Sequence, residues 1–212
     1  MVRATVLHTV GRRFDPCSAH FMGKAYKNFW SLNIDEAVVA GILRDETPKN
    51  IEVFMPHNAQ MKGIDLVLMN IENKTTITIQ VKGSKAYEPK PSELEEYEDG
   101  SSGWFRCHQN VIQKATADYF IFLIYVIEKS LETGRRYIKP HAITIPTKKL
   151  KELCKKYKKI GKKENYNFDF WVNPTKKEAF DFRDKKQGGL YHLDEYLDKK
   201  GFEKLKFKLT NL

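Results

Sequence analysis

Three polar side chains within two apolar stretches carry the chemistry that this sequence suggests. Asp65 lies in the stretch 63–68, and Gln80 and Lys82 lie in the stretch 77–83. The short polar link between the stretches predicts an antiparallel β-hairpin. Side chains alternate along a strand, so Gln80 and Lys82 share one face. Across a hairpin with an even-numbered loop, the residue numbers of two paired positions add up to an odd number. We therefore expect Asp65 opposite Gln80 or Lys82, on that same face.

These residue types suit a magnesium site for phosphodiester hydrolysis. Mg²⁺ prefers hard oxygen ligands and keeps several waters, so one carboxylate and a few neutral oxygens suffice. Asp65 would be the main anionic ligand, and the Gln80 amide oxygen and the Val81 backbone carbonyl would complete the protein's share. Lys82 would place a positive charge beside the attacking water or the scissile phosphate. The predicted cofactor is Mg²⁺, with Mn²⁺ as a substitute.

A purely structural interpretation of the same residues is the polar face of a half-exposed hairpin. Strands as apolar as these normally bury both faces, where an unpaired charge costs several kcal/mol. An Asp65–Lys82 ion pair made for stability alone would be weak compensation. The combination therefore favours a functional site.

The two stretches also resemble a known nuclease core. Gly-Ile-Asp-Leu-Val, a short turn and Ile-Gln-Val-Lys-Gly-Ser are similar to the motif of the PD-(D/E)xK nuclease superfamily. The variant has glutamine in place of the second acid, as in Mrr-type restriction proteins and some transposon-end endonucleases. The resemblance covers about residues 33–127. It implies a restriction-endonuclease-like core, Mg²⁺-dependent DNA cleavage, and a defence or DNA-processing role in bacteria or archaea.

Two positions depart from the pattern of that superfamily. Ile64 precedes the aspartate where many relatives have proline. Gln80 removes one negative charge from the expected metal site, which should weaken metal binding. A nuclease-like protein that binds nucleic acid without cleaving it therefore stays open as an alternative.

Relatives often add a glutamate from the preceding helix, and Glu36 is the matching residue here. Glu36 lies on one helical stripe with Val39 and Leu43, and an acid within an apolar stripe suggests a second-metal or water-orienting role. The alternative is a capping box, because Asn33 at the N-cap and Glu36 three residues later fit that signature. The neighbouring Asp35 is a second candidate for the functional acid.

The net charge of +10 points to a polyanionic partner such as DNA. The surplus of lysine and arginine lies in residues 104–212, and much of it in a predicted amphipathic helix over 147–163. Such a helix either tracks DNA phosphates or presents an ordinary solvated face. The predicted DNA-contacting side chains are Lys148, Lys149, Lys151, Lys155, Lys156, Arg135 and Arg136.

The order of the remaining elements predicts an α/β domain with a central mixed β-sheet flanked by helices. We expect one domain over residues 1–212, with a core at about 33–163 and a basic C-terminal part at 147–212. The apolar run 119–127 is too short to span a membrane and predicts a buried central strand. Three cysteines without a CxxC arrangement fit a reducing interior, so the predicted location is the cytoplasm.

Other segments give more local predictions. The pattern predicts a helix over 33–43, a strand over 51–54, a solvated loop over 84–103 and a helix over 104–117. Further on it predicts strands over 118–128 and 141–145. A hairpin formed by residues 168–172 and 179–183 and a short helix near 192–199 complete the expected elements.

The leading functional prediction is a metal-dependent DNA endonuclease, most simply a restriction-type enzyme that acts on duplex DNA as a homodimer. Two alternatives remain: a catalytically inactive nuclease-like module that binds nucleic acid, and a subunit for transposition or junction resolution. We expect no membrane partner.

Overall fold

A computed structural model describes residues 33–56, 63–130, 132–156, 164–182 and 191–210. Residues 1–32, and with them the N-terminal part of the predicted domain, lie outside this range. The elements along the chain are α1 (Ile34–Glu46), β1 (Ile51–Phe54), β2 (Leu66–Asn70), β3 (Thr76–Gly83), α2 (Pro91–Tyr97), β4 (Ser101–His108), α3 (Gln109–Gln113), β5 (Tyr119–Lys129), β6 (Arg136–Pro146), α4 (Thr147–Lys156), β7 (Asn165–Asn173), β8 (Glu178–Asp181), β9 (Tyr191–His192) and α5 (Asp198–Thr210).

The central sheet has five strands in the order β1-β2-β3-β5-β6. Strands β3 and β5 run parallel, and the other neighbouring pairs run antiparallel. β5 lies between two other strands, and its first six residues are buried. Both of its faces are covered, which explains its unbroken apolar sequence. The predicted central mixed sheet and its buried strand are confirmed.

Two layers cover the central sheet. Helices α1 and α5 pack on one face through Val39, Leu43 and Phe202. A second, antiparallel sheet in the order β4-β7-β8-β9 covers the other face. The contact between the two sheets is largely aromatic: the Phe122 ring of β5 lies 4.9 Å from that of Phe105 and 5.1 Å from that of Phe170. The predicted flanking helices are confirmed, whereas the second sheet was not expected.

The first half of the chain follows the sequence pattern closely. Helix α1 begins after Asn33, whose side chain accepts a hydrogen bond from the Asp35 backbone N–H. Strand β1 and the β2–β3 hairpin occupy the expected segments.

The predicted helix over residues 104–117 is wrong for most of its length, because residues 101–108 form strand β4. Alternate residues of β4 are buried and exposed, and the whole strand pairs with β7. The loop predicted for 84–103 is also wrong in part, since it contains α2 and the start of β4.

The C-terminal half combines confirmed and corrected elements. In α4 the apolar side chains Leu150, Leu153 and Cys154 are buried, as expected, although residues 157–163 of the predicted helix lie outside the described residues. The β7–β8 hairpin is confirmed. The short helix predicted near 192–199 is present as a 3₁₀ helix at Asp194–Tyr196, whereas the longer α5, which begins at Asp198, was not expected. In the described parts of the chain no helix is long and apolar enough to cross a membrane.

Candidate active site

Asp65 lies immediately before β2, where the hairpin ladder ends. Its backbone N–H donates to the Ile79 carbonyl at 2.8 Å, and its Oδ2 accepts the Val81 backbone N–H at 2.7 Å. Because β2 begins at Leu66, its backbone does not extend far enough to pair with Val81, and the Asp65 carboxylate takes that place. A charge-assisted bond of this kind fixes the carboxylate against β3.

The register of the hairpin sets Gln80 and Lys82 on one face, with Asp65 at the end of the ladder. Leu66 pairs with Ile79, and Asp65, which precedes β2, reaches β3 through the bond from the Val81 N–H to its carboxylate. Leu66 and Ile79 point into the core beneath α1 and α5. Gln80 and Lys82 therefore point to the opposite face, towards the second sheet.

The Gln80 side chain is buried, and its oxygen has no hydrogen-bond donor among the described residues. It is 6% exposed, and no described residue donates to its Oε1. Gly63 adjoins this oxygen: a Cβ added at Gly63 would lie 4.0 Å from it. An unsatisfied buried carbonyl costs about 1–3 kcal/mol, so this oxygen would gain from contact with a bound group.

The Lys82 ammonium forms no ion pair with any residue in the described parts of the chain. Lys82 is half-buried, and within the described ranges no carboxylate lies within ion-pair distance of it, so the Asp65–Lys82 ion pair is not formed. Burial raises the pKa of the Cys107 thiol of β4 to about 11, although the nearby charge of Lys82 acts to lower it. Cys107 therefore stays a neutral thiol beside the lysine and is a poor nucleophile.

Asp35 and Glu36 have different surroundings at the start of α1. Asn33 Nδ2 donates to Glu36 Oε1 at 3.0 Å, which links Glu36 to the helix cap. Asp35 Oδ1 accepts a hydrogen bond of 2.8 Å from the Tyr125 hydroxyl. A Cβ added at Gly83 would lie 1.9 Å from Asp35 Oδ2, so glycine makes room for the Asp35 carboxylate at the end of β3.

The oxygen atoms around Asp65 fit a hard divalent cation. No group of three His, Cys, Asp or Glu side chains suited to a metal occurs among the described residues, so a metal here needs neutral oxygens as well. Oε1 of Gln80 is such an oxygen. The N–H and C=O of one strand residue point to the same side, so the Val81 carbonyl also faces Asp65. One carboxylate with two neutral oxygens is a ligand set that Mg²⁺ accepts.

The predicted DNA-contacting side chains fall into two separate groups. Helix α4 packs on the face of the central sheet that carries Lys82, and its Lys148 and Lys155 are exposed. Lys149 lies 3.8 Å from Glu152, and Lys151 donates to the Ala115 carbonyl. The side chain of Lys156 lies outside the described parts.

Arg135 and Arg136 lie far from that helix. β6 begins at Arg136 and ends at Pro146, just before α4. Eleven strand residues span about 35 Å, so the two arginines cannot extend the patch on α4.

The search for similar proteins found no matching family model, no matching curated protein and no matching solved structure. The functional conclusion therefore rests on the residues of the site.

Proposed function

We propose that this protein is a metal-dependent DNA endonuclease that hydrolyses phosphodiester bonds, a restriction-type enzyme acting on duplex DNA. The observation that carries the proposal is the buried Oε1 of Gln80, which has no hydrogen-bond partner among the described residues, in the strand next to Asp65 and on the same face as Lys82. If this polar face served stability alone, we would expect a hydrogen-bond donor at Oε1 of Gln80 and a carboxylate partner for Lys82.

Each residue of the site has a role in the proposed reaction. Asp65, Gln80 Oε1 and the Val81 carbonyl would hold Mg²⁺, or Mn²⁺ in its place, and the bond from the Val81 N–H keeps the carboxylate in position. When bound, the ion supplies Lewis-acid stabilisation of the phosphate and a lowered pKa for a coordinated water. Lys82 stabilises the negative charge that develops as the water oxygen attacks phosphorus and the P–O bond to the leaving group breaks.

The distribution of charge supports DNA as the substrate. The net charge is +10, and the exposed lysines of α4 lie on the side of the sheet that carries Lys82. Contacts from such lysines bind phosphates without reading sequence. A homodimer with one site in each subunit would cut both strands. The free thiols Cys107 and Cys154 fit the cytoplasm, where we place the protein.

The direct test is incubation of supercoiled plasmid DNA with the purified protein and Mg²⁺ or Mn²⁺. We expect nicked and linear products with either metal and none in EDTA. Plasmid that stays supercoiled with both metals over a range of enzyme concentrations would contradict the proposal.

Gln80 also supports a second candidate, a nuclease-like module that binds nucleic acid without cleaving it, because an amide is a weaker metal ligand than a carboxylate. Titration with Mg²⁺ or Mn²⁺ separates the two functions: the inactive module would show no metal binding that depends on Asp65. A junction-resolving or transposition subunit would instead prefer branched DNA to linear duplex when the two substrates are compared side by side.

We predict that Glu36→Gln leaves the cleavage rate near the wild-type value, because α1 packs on the face of the sheet opposite Gln80 and Lys82 and Glu36 is bonded within the helix cap. Glutamine keeps an oxygen that can accept from Asn33, so the melting temperature should hardly change either. The measurement is the initial rate of plasmid nicking beside a thermal melt. Nicking slowed about tenfold at an unchanged melting temperature would instead show that Glu36 supports a metal or its water.

A further inference from the structure

The hairpin formed by β5 and β6 continues beyond the layers that cover the rest of the central sheet. Residues 132–139 are all exposed. Tyr137 and Ile138 are adjacent in β6 and point to opposite faces, yet they are 45% and 59% exposed. Both faces of this two-stranded segment are therefore open to solvent. We call residues 127–130 with 132–139 the β-ribbon.

The β-ribbon carries more positive than negative charge. Its cations are Lys129, Arg135, Arg136 and Lys139, and its acids are Glu128 and Glu132. Both carboxylate oxygens of Glu128 already have hydrogen-bond partners. Its Oε1 lies 2.8 Å from His141 Nε2, and its Oε2 accepts from the Tyr137 hydroxyl.

Two of the cations, Lys129 and Arg135, have no acidic partner among the residues that the structure describes and are available to a partner molecule. A third, Arg136, pairs with Glu88 at 2.8 Å, in a contact that is exposed on both sides and hence weak. The unbalanced charge of the β-ribbon matches a polyanion.

A second copy of this chain is a poorer occupant for the same surface. β6 is an edge strand of the central sheet, and an exposed edge invites pairing with another strand. Pro140 lacks the N–H that such a pairing needs, and lysine at position 139 opposes it by charge. These features protect the edge from another strand while leaving it able to bind phosphates.

The β-ribbon continues a strand that borders the candidate active site. Lys82 pairs in register with Phe122 of β5, and Lys129 lies seven residues further along the same strand. Seven strand residues span about 23 Å. DNA whose scissile phosphate lies at Lys82 can therefore reach the β-ribbon within about seven base pairs along its backbone.

We propose that the β-ribbon is a second DNA-contacting element, which binds the phosphates of duplex DNA at a distance from the cleavage site. The identity of the partner rests on the proposed function, and the element itself does not require cleavage. A two-stranded ribbon is also narrow enough to enter the major groove.

The test is the affinity for a fluorescent DNA duplex, measured by anisotropy in EDTA at several salt concentrations. We expect the double variant Lys129→Ala with Arg135→Ala to bind about tenfold more weakly at low salt. The slope of log K against log salt should fall in magnitude by about two, because each lost phosphate contact removes close to one unit.

The matched control is Lys49→Ala with Lys74→Ala, which removes two exposed lysines at the opposite end of the central sheet. This control should keep the wild-type affinity. Equal weakening in both double variants, unchanged binding in the ribbon variant, or no duplex binding by the wild type would overturn the proposal. So would a ribbon variant that alters the sedimentation coefficient but not the affinity, since the occupant would then be a second copy.

The Asp65→Asn variant distinguishes this proposal from the proposed catalytic function. It should bind the duplex in EDTA at least as tightly as wild type, because the β-ribbon is intact and a negative charge that repels the phosphates is removed. If the wild type binds through the β-ribbon but does not cleave, the catalytic proposal fails while the ribbon proposal stands.

Discussion

Replacing Asp65 by asparagine should lower metal-dependent nicking by a factor of at least about 100 to 1000, the effect expected when a major electrostatic contribution to the transition state is lost. Asparagine keeps an oxygen that can accept the Val81 N–H, so the local fold should survive. Only the negative charge that would hold the metal is lost. The measurement is the initial rate of plasmid nicking in Mg²⁺.

Lys82→Met should cause a loss of similar size, because methionine keeps the apolar stem and removes the ammonium. The matched control for charge is Asp45→Asn, which changes an exposed acid of α1 and should nick at the wild-type rate. Nicking by Asp65→Asn at the wild-type rate would mean that the hairpin face is not the active site.

The second large effect concerns a buried histidine between two acids. His141 is 4% exposed. Its Nδ1 lies 2.7 Å from Asp198 of α5, and its Nε2 lies 2.8 Å from Glu128 of β5. Tyr137 and Lys139 also face Glu128, at 2.6 and 3.8 Å. This cluster ties α5 to the two strands that carry the β-ribbon.

The two acids favour the protonated form of the imidazole. Burial acts to lower the pKa of His141, but the hydrogen bonds and charges of Asp198 and Glu128 outweigh it and raise the pKa above its ordinary value. The pKa of Glu128 is lowered: burial acts to raise it, but Tyr137, His141 and Lys139 outweigh that effect.

The pH dependence follows from the signs of these shifts. A raised histidine pKa contributes stability that is fully present below the unfolded value, about 6.5, and is lost as pH rises through the folded value. The lowered Glu128 pKa contributes stability present above its unfolded value, about 4.3, and lost as pH falls through the folded value.

We therefore predict that His141→Ala lowers the free energy of unfolding by about 2 kcal/mol at pH 6, because it leaves two acids facing each other without the cation. This loss is smaller than the one expected when a fully buried ion pair is broken, because the Asp198 side chain is 39% exposed. Urea denaturation at pH 6 and pH 9 is the measurement, and the difference from wild type should shrink at pH 9. The exposed His192 of β9 gives the control, His192→Ala, and an equal loss in both variants would contradict a role for the cluster.

The hairpin at the centre of the site was predictable because its signal is local. The apolar alternation on both sides of a short polar link fixes the face of each side chain. The loop length fixes which residues pair, since the residue numbers of paired positions must add up to an odd number. The buried strand β5 was predictable for the same reason, since nine successive apolar residues permit little else.

The second sheet was not predictable from local pattern. Ser101 and Gly103 are small residues with little strand preference, and they become strand residues only because β7 pairs with them from more than sixty positions away. The His141 cluster has the same origin, since Glu128 and Asp198 lie 13 and 57 positions from the histidine. The separation of Arg135 and Arg136 from α4 likewise depends on the length of β6.

The most direct test of the proposed active site is anomalous diffraction from crystals soaked in Mn²⁺. We expect a peak in coordination contact with an Asp65 carboxylate oxygen and with Oε1 of Gln80, and we expect that peak to be lost in crystals of Asp65→Asn. A wild-type map with no peak at Asp65, or with the Gln80 oxygen turned away from it, would contradict the proposed site.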